Sequence, residues 1–226
     1  MKDDLRVQGL IPATEPYTPM GFPAIGDGLG RELTAAVLAV TGNNAIVDWV
    51  WLELRSASNL SNVVAARAVL LQRDGDVVEL DGKSPVNMHV PPGNYHLAIR
   101  HRNHLGVLTA AASSLSGNAT VIDLSSSATA TWGTNARKSA GTARTLWSGD
   151  TNRDGTVKYT GVGNDRDKVL STIGGAGITG TLSGYHLGDA NMNGVVSYTG
   201  QSNDRDLILV NIGGVSPTAV LMEQLP

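Results

Sequence analysis

A 39-residue repeat in the C-terminal third constrains this chain more than any other feature. Gly149-Asp-Thr-Asn-Arg-Asp-Gly-Thr-Val-Lys-Tyr-Thr-Gly161 recurs as Gly188-Asp-Ala-Asn-Met-Asn-Gly-Val-Val-Ser-Tyr-Thr-Gly200. Both copies run on into Asn-Asp-Arg-Asp, at 164–167 and 203–206, and both close on Gly-Gly, at 174–175 and 213–214. Aligning 149–175 with 188–214 needs no gap and gives 16 identities in 27 positions. Each copy holds one loop and one short apolar stretch. A helix that short is not stable alone, so the two are expected to pair across a pseudo-twofold axis. Val169, Leu170 and Ile173 would face Leu207, Ile208, Val210 and Ile212 in one small core shared with Val157, Val196, Tyr159 and Tyr198.

The repeated residues are oxygen donors at alternating positions. Asp150, Asn152 and Asp154 stand at i, i+2 and i+4, ahead of Gly155, which is how an EF-hand loop opens. Calcium takes six to eight oxygens at about 2.3–2.6 Å, and three side chains in this spacing wrap one side of it. Gly155 allows the sharp turn, Thr156 would offer its carbonyl, and Val157 would anchor the loop. At the twelfth loop position, where an EF-hand closes with an acid, stands Gly161. The acids come later. Asn164 reads as a helix N-cap, which puts Asp167 at the third helical position, where a closing acid belongs, with Asp165 as the competing ligand. The second loop offers Asp189, Asn191, Asn193, the Val195 carbonyl, and Asp206 or Asp204. Asn193 replaces the acid found at Asp154, so the second site is expected to bind more weakly. Both are expected in the range of about 10⁻⁴–10⁻³ M or somewhat tighter. Arg166 and Arg205 are expected to brace the loops by pairing with neighbouring carboxylates. Between 149 and 214 the net charge is −2, which two calcium ions would reverse.

Upstream the pattern is β. Residues 33–125 carry about seven short apolar stretches divided by turn signals, among them Val47–Arg55, Val63–Leu71, Val77–Leu80, Val86–Val90, Tyr95–Arg102 and Ala119–Leu124, with Asp74-Gly75 as a hairpin dipeptide. That spacing predicts a mainly β chain: an Ig-like antiparallel β-sandwich followed by a small α-helical double calcium-loop module. Residues 1–32 hold Pro12, Pro16, Pro19 and Pro23 and read as an extended arm ending in a flexible joint at Gly26-Asp27-Gly28-Leu29-Gly30. Residues 126–146 read as a linker or crossing segment, 147–216 as the duplicated module and 217–226 as a tail. With a single Phe in the chain, Trp49 and Trp51, two apart on one strand face, are expected in the core rather than as a sugar-stacking platform. His96, His101 and His104 lie close in sequence but lack a nearby carboxylate and read as a polar strand face and its turn.

The loop–helix duplicates resemble dockerin type I modules, which bind two calcium ions. The departure is the long insertion before the closing acid, so the resemblance does not extend to cohesin recognition. A fuller resemblance is to a C-terminal region of haemagglutinin-like secreted or surface proteins of environmental gram-negative bacteria. It is carried by Asp48-Trp49-Val50-Trp51-Leu52-Glu53-Leu54-Arg55, Leu71-Gln72-Arg73-Asp74-Gly75-Asp76, His101-Arg102-Asn103-His104-Leu105-Gly106-Val107 and both Tyr-Thr-Gly…Asn-Asp-Arg-Asp blocks. It implies an extracellular or cell-surface location and calcium more than any activity.

Several classes are set aside. Cysteine is absent, which excludes disulfides, thiolate metal sites and cysteine nucleophiles. The net charge of −3 comes without a basic stripe, which argues against a nucleic-acid partner. No apolar run reaches the roughly 20 residues of a membrane span. Met1-Lys2 leads into Asp3 and Asp4 rather than an apolar stretch, so a secreted protein would be seen here in a processed or partial form. No nucleophile elbow, HExxH or Walker loop is present, and no enzyme is expected. The expected function is a calcium-rigidified structural subunit that self-associates into a homopolymer through its arm. The alternative is an adhesin or carbohydrate-binding module with glycans as partners.

Overall fold

The structure, a computed structural model, describes residues 1–26 and 31–226. The chain is mainly β, with 31% strand against 11% helix, and its sheets are antiparallel. Two single helical turns, α1 (Asp4–Val7) and α2 (Ala35–Leu38), precede the sheet. The sheet comprises β1 (Ile46–Ser56), β2 (Asn59–Gln72), β3 (Val77–Val78), β4 (Gly93–His101), β5 (His104–Leu108) and β6 (Ser113–Leu115). Their order is β3-β2-β1-β4-β5, with β6 also paired to β4.

The described strands do not divide into the two large sheets of a sandwich. One sheet is covered on each face by irregular chain instead. β1 lies at its centre, and ten of its eleven residues are buried, because both faces are roofed. Trp49 pairs with Leu70 and Trp51 with Ala68, so these four share a face. Val50, Leu52 and Val69 lie on the other, under Val86 and Met88. Val86–Val90, expected as a strand, crosses that face without joining the ladder. Pro85, Pro91 and Pro92 flank it, and proline cannot donate to a neighbouring strand. Ala119–Leu124 is likewise not a strand.

The N-terminal segment is the roof over the tryptophans, not a free arm. Leu5, Ile11 and Tyr17 are buried against Trp49 and Trp51, with Leu10 and Phe22 packed beside them. Hydrogen bonds fix it there: Trp49 Nε1 donates to the Pro12 carbonyl at 2.9 Å and Tyr17 Oη to the Trp49 carbonyl at 3.0 Å. Ile25 and Ala66 exchange both backbone bonds, at 2.9 and 3.0 Å. The prolines forbid a long helix, but the apolar residues between them still gain most by covering a sheet face. The expected joint at 27–30 lies outside the described residues.

The same segment touches both repeated loops. Gln8 Nε2 donates to the Asn193 carbonyl at 2.7 Å, and Arg153 donates to the Met20 carbonyl at 2.7 Å. A Cβ on Gly194 would lie 2.8 Å from both Gln8 Nε2 and Leu10 Cδ1, on a backbone with φ +84°. Gly194→Ala is therefore expected to destabilise the fold by about 1–2 kcal/mol. Thermal melting measures this, and proteolysis within residues 1–10 should quicken.

Beyond the sheet, β7 (Lys138–Ala140) and β8 (Ala143–Thr145) make a small hairpin inside the expected linker. The repeats follow. β9 (Thr156–Lys158) leads to α3 (Asp165–Thr172), and β11 (Val195–Ser197) leads to α4 (Asp204–Asn211). β10 (Thr181–Ser183) pairs with β11, and β12 (Val220–Met222) returns to pair with β9. Val157, Val169, Val196, Ile208 and Ile212 form the shared core expected of the duplicates, with Tyr159 and Tyr198 packed on it. Val210, expected in that stripe, is 60% exposed, and Leu105 from β5 enters the core in addition.

Candidate functional site

Each repeat folds into a tight loop in which carboxylate and amide oxygens gather backbone N–H groups. In the first loop Asp150 accepts from the amides of Asp154 at 3.0 Å and Gly155 at 3.1 Å. Asn152 Oδ1 accepts from Asp154 N at 2.9 Å, and Asp154 Oδ1 from Thr156 N at 2.9 Å. The second loop repeats this. Asp189 accepts from Asn193 N at 3.1 Å and Gly194 N at 2.8 Å, Asn191 Oδ1 from Asn193 N at 3.0 Å, and Asn193 Oδ1 from Val195 N at 2.8 Å. Successive Asx turns of this kind require the alternate Asp/Asn spacing that the sequence shows.

Asp165 and Asp204, not Asp167 and Asp206, close the loops. Asp165 is wholly buried; its Oδ1 accepts from Thr151 N at 2.8 Å and its Oδ2 from Lys158 N at 2.9 Å. Asp204, equally buried, accepts from Asn191 N at 3.2 Å and Ser197 N at 2.8 Å. Asp167 and Asp206 face outward, their side chains 67% and 54% exposed. The N-cap explains the exchange. Asn164 Oδ1 accepts from Asp167 N at 3.1 Å while its Nδ2 donates to Asp167 Oδ2 at 2.7 Å. Asn203 and Asp206 do the same at 2.9 and 2.7 Å. This reciprocal cap holds the third helical acid on the helix, and the first helical acid turns back into the loop. Arg166 and Arg205 pair with Asp167 and Asp206 and lie 5.0 Å over Tyr159 and Tyr198.

The loops concentrate buried negative charge. Burial, with repulsion from Asp165, Asp154 and Glu223, pushes the Asp150 carboxyl up to about 7. Burial likewise raises Asp165 to about 6 against the pull of its three backbone donors. In the second loop burial raises Asp204 to about 7, with Asp189 adding repulsion. Asp189 is raised as well, although Arg102 works against the shift. Asp154 differs: Thr156 and Lys158 outweigh burial and hold it low, with Lys158 Nζ at 3.1 Å. Asp150 and Asp189 each accept two of these backbone bonds out of roughly four acceptor positions, which leaves lone pairs open to a cation, whereas Asp165 is more fully engaged. Among the described residues, no three His, Cys, Asp or Glu side chains gather as a metal-holding group. Any hard cation here would draw on the Asn amides and on carbonyls such as those of Thr156 and Val195 as well, a mixture that suits calcium.

A second polar knot, hidden in the sequence, ties the sheet to the repeats. Asp48 accepts from Tyr185 Oη at 2.6 Å, His101 Nε2 at 2.9 Å, Arg102 Nε at 3.4 Å and its neighbour Trp49 N at 2.7 Å. Burial alone would raise Asp48, but Arg102, His101 and Tyr185 outweigh it and hold it low. Arg102 is wholly buried, lies 4.1 Å from the Tyr185 ring centroid, and donates to the His186 carbonyl and to Met192 Sδ. His101 Nδ1 meets His104 Nδ1 at 2.8 Å. Burial, then His101 and Arg102, hold His104 well below the usual histidine range, so it stays neutral. His96 instead bonds the Thr109 carbonyl at 2.9 Å, away from this pair. Trp49 and Trp51 are fully buried and offer no stacking platform. The spacing of the three histidines marked a turn. Nothing in it pointed to Asp48 or Tyr185, which are distant in sequence.

Comparison of the chain with protein-family models, with curated proteins and with solved structures finds no match. No helix among the described residues is long and apolar enough to cross a membrane.

Proposed function

We propose that this protein is a non-catalytic, calcium-binding structural protein of the cell surface or extracellular space, with one ion held in each repeated loop. The observation that carries the reading is the pair of buried, mutually repelling carboxylates in each copy, Asp150 with Asp165 and Asp189 with Asp204. Two buried acids brought together destabilise a fold unless protons or a cation neutralise them, and Arg102 beside Asp189 offsets only part of that charge in the second copy. Asn152, Asn191 and the loop carbonyls supply the neutral oxygens calcium favours. The ligands are Asp150, Asn152, Asp154, the Thr156 carbonyl and Asp165 in the first loop, and Asp189, Asn191, Asn193, the Val195 carbonyl and Asp204 in the second. Asp167 and Asp206 are engaged by the N-caps Asn164 and Asn203 instead. The dockerin-like description applies to this pair of loops and helices, and the sheet stands in place of the Ig-like sandwich.

Calorimetry with calcium tests the reading. Two sites are expected, the second weaker because Asn193 removes a charge and Arg102 stands near Asp189. Asp150→Ala should abolish the first alone. Absence of heat at millimolar calcium overturns the proposal.

Self-association belongs to the same reading. Residues 1–26 cover the Trp49/Trp51 face of their own sheet, and the same contacts made by a neighbour's segment would link copies into a homopolymer. Light scattering of a variant lacking residues 1–26, compared with the whole chain, tests this: assembly that persists without the segment rules it out.

An adhesin or carbohydrate-binding module is the second reading. A recess of about 270 Å³, where Phe22 lies beside Arg100 and Arg153, favours it. Glycan-array binding lost in Arg153→Ala would support it.

A further inference from the structure

The two repeats differ at the point where each loop begins. Asn211, at the end of α4, crosses to the first copy, where its Nδ2 donates to the Ser148 carbonyl at 2.7 Å and to Ser148 Oγ at 3.0 Å. The counterpart of Asn211 on α3 is Thr172, which has no amide to offer. Its hydroxyl donates to the Lys168 carbonyl of its own helix at 2.7 Å. Thr172 nevertheless stands beside the start of the second loop, since a Cβ on Gly188 would lie 3.1 Å from its Oγ1.

The counterpart of Ser148 is Leu187. Its carbonyl accepts from Asn103, at the tip of the β4–β5 hairpin, at 3.0 Å. The same Nδ2 donates to the Asp189 carbonyl at 2.7 Å. Asn103 is wholly buried, and its amide is fully used, because Oδ1 meets His104 Nδ1 at 2.9 Å. Its backbone carbonyl accepts from Gly149 N at 2.9 Å, one residue before Asp150.

We propose that Asn103 is the positioning residue of the second loop: it delivers from the sheet the amide that the first repeat helix lacks. Through its backbone carbonyl it also ties the start of the first loop to the start of the second. The duplicated module is thus completed by a residue outside the repeat. The identity of the ion rests on the calcium reading above; the missing amide does not.

The test is Asn103→Ala with and without Thr172→Asn in the full chain, read by calcium calorimetry and by melting in metal-stripped buffer. Asn103→Ala leaves the buried Asp189 carbonyl and the part-buried Leu187 carbonyl without this donor. It should weaken calcium at the second site about tenfold or more while changing the first site less. Thr172→Asn mirrors Asn211 and should restore the second site toward its original affinity. A merely structural loss elsewhere in the hairpin would not be rescued from α3. If Asn103→Ala does not fold, recovery of a folded, binding protein in the double variant supports the proposal, and failure of both overturns it. Unchanged second-site affinity in Asn103→Ala also overturns it. If the parent chain takes up no calcium, the calcium reading fails, and the melting temperatures decide the capping claim: a fall in Asn103→Ala reversed by Thr172→Asn upholds it, and no reversal overturns it.

Discussion

Asp48→Ala is expected to lower stability by about 3–5 kcal/mol, the largest effect of any single substitution considered for this protein. The carboxylate faces a wholly buried guanidinium, a tyrosine hydroxyl and an imidazole, and each donor loses its acceptor at once. Arg102 then remains wholly buried without its hydrogen-bonded carboxylate. Removing both charges together costs less than removing one, because the larger part of the penalty is the stranded ion. Urea melts of Asp48→Ala, Arg102→Met and the double variant form the cycle that separates these parts. The double variant should recover a substantial share of the loss, and strict additivity would show that the pair is not coupled.

Metal-stripped protein is expected to lose stability as pH rises from about 4 to about 7. The carboxyls of Asp150, Asp165 and Asp204 titrate near 7, 6 and 7 in the folded state, far above the unfolded value. A folded-state value raised in this way gives a contribution that is complete below the unfolded pKa. It disappears as pH climbs through the folded one, by on the order of 3 kcal/mol per loop. Lys158, on the first loop, pairs with Asp154 and so offsets little of the charge on Asp150. Asp48 and Glu79 are shifted downward and act in the opposite sense, but below the ordinary carboxylate range, outside this window. His104, held neutral in the folded state, also acts in the opposite sense, and inside the window, so it offsets part of the decline. Calcium should erase the decline, since a bound cation replaces the protons. Denaturant midpoints at pH 4.5 and 7.5, with and without calcium, give the comparison. A stripped protein whose change between the two values matches that of the calcium-loaded protein would contradict the charge distribution described for the loops.

The loops were legible because the repeat shows their chemistry twice. Alternating Asp and Asn before a glycine specify Asx turns locally, and Asn164 and Asn203 announce their helices by the same local rule. The sequence offered two closing acids for each loop and leaned toward the outer one. Standard EF-hand spacing favours the third helical position, and only the reciprocal bond from Asn164 reveals that Asp167 is already engaged. Strands β1, β2 and β4 followed from apolar stretches set off by turn signals, and the burial of Trp49 and Trp51 from the scarcity of other aromatic residues. The missing second sheet was not legible. A stretch such as Val86–Val90 has strand-like apolarity, and its flanking prolines act only once it is known whether a neighbour needs their N–H groups. The N-terminal roof was missed for a related reason: prolines describe what a segment cannot form, while Leu5, Ile11 and Tyr17 decide where it lies. Asn103 and Asp48 act across more than 80 and 130 residues, and no local pattern encodes such pairings.

The hairpin tip that enters the repeats has a thermodynamic consequence. Leu105 sits in the apolar cluster of the duplicated module, and Arg102 and Asn103 bond to its backbone. The border that composition draws near residue 146 is therefore no border in heat capacity. Scanning calorimetry should record one endotherm whose van't Hoff and calorimetric enthalpies agree, so neither half is free to melt ahead of the other.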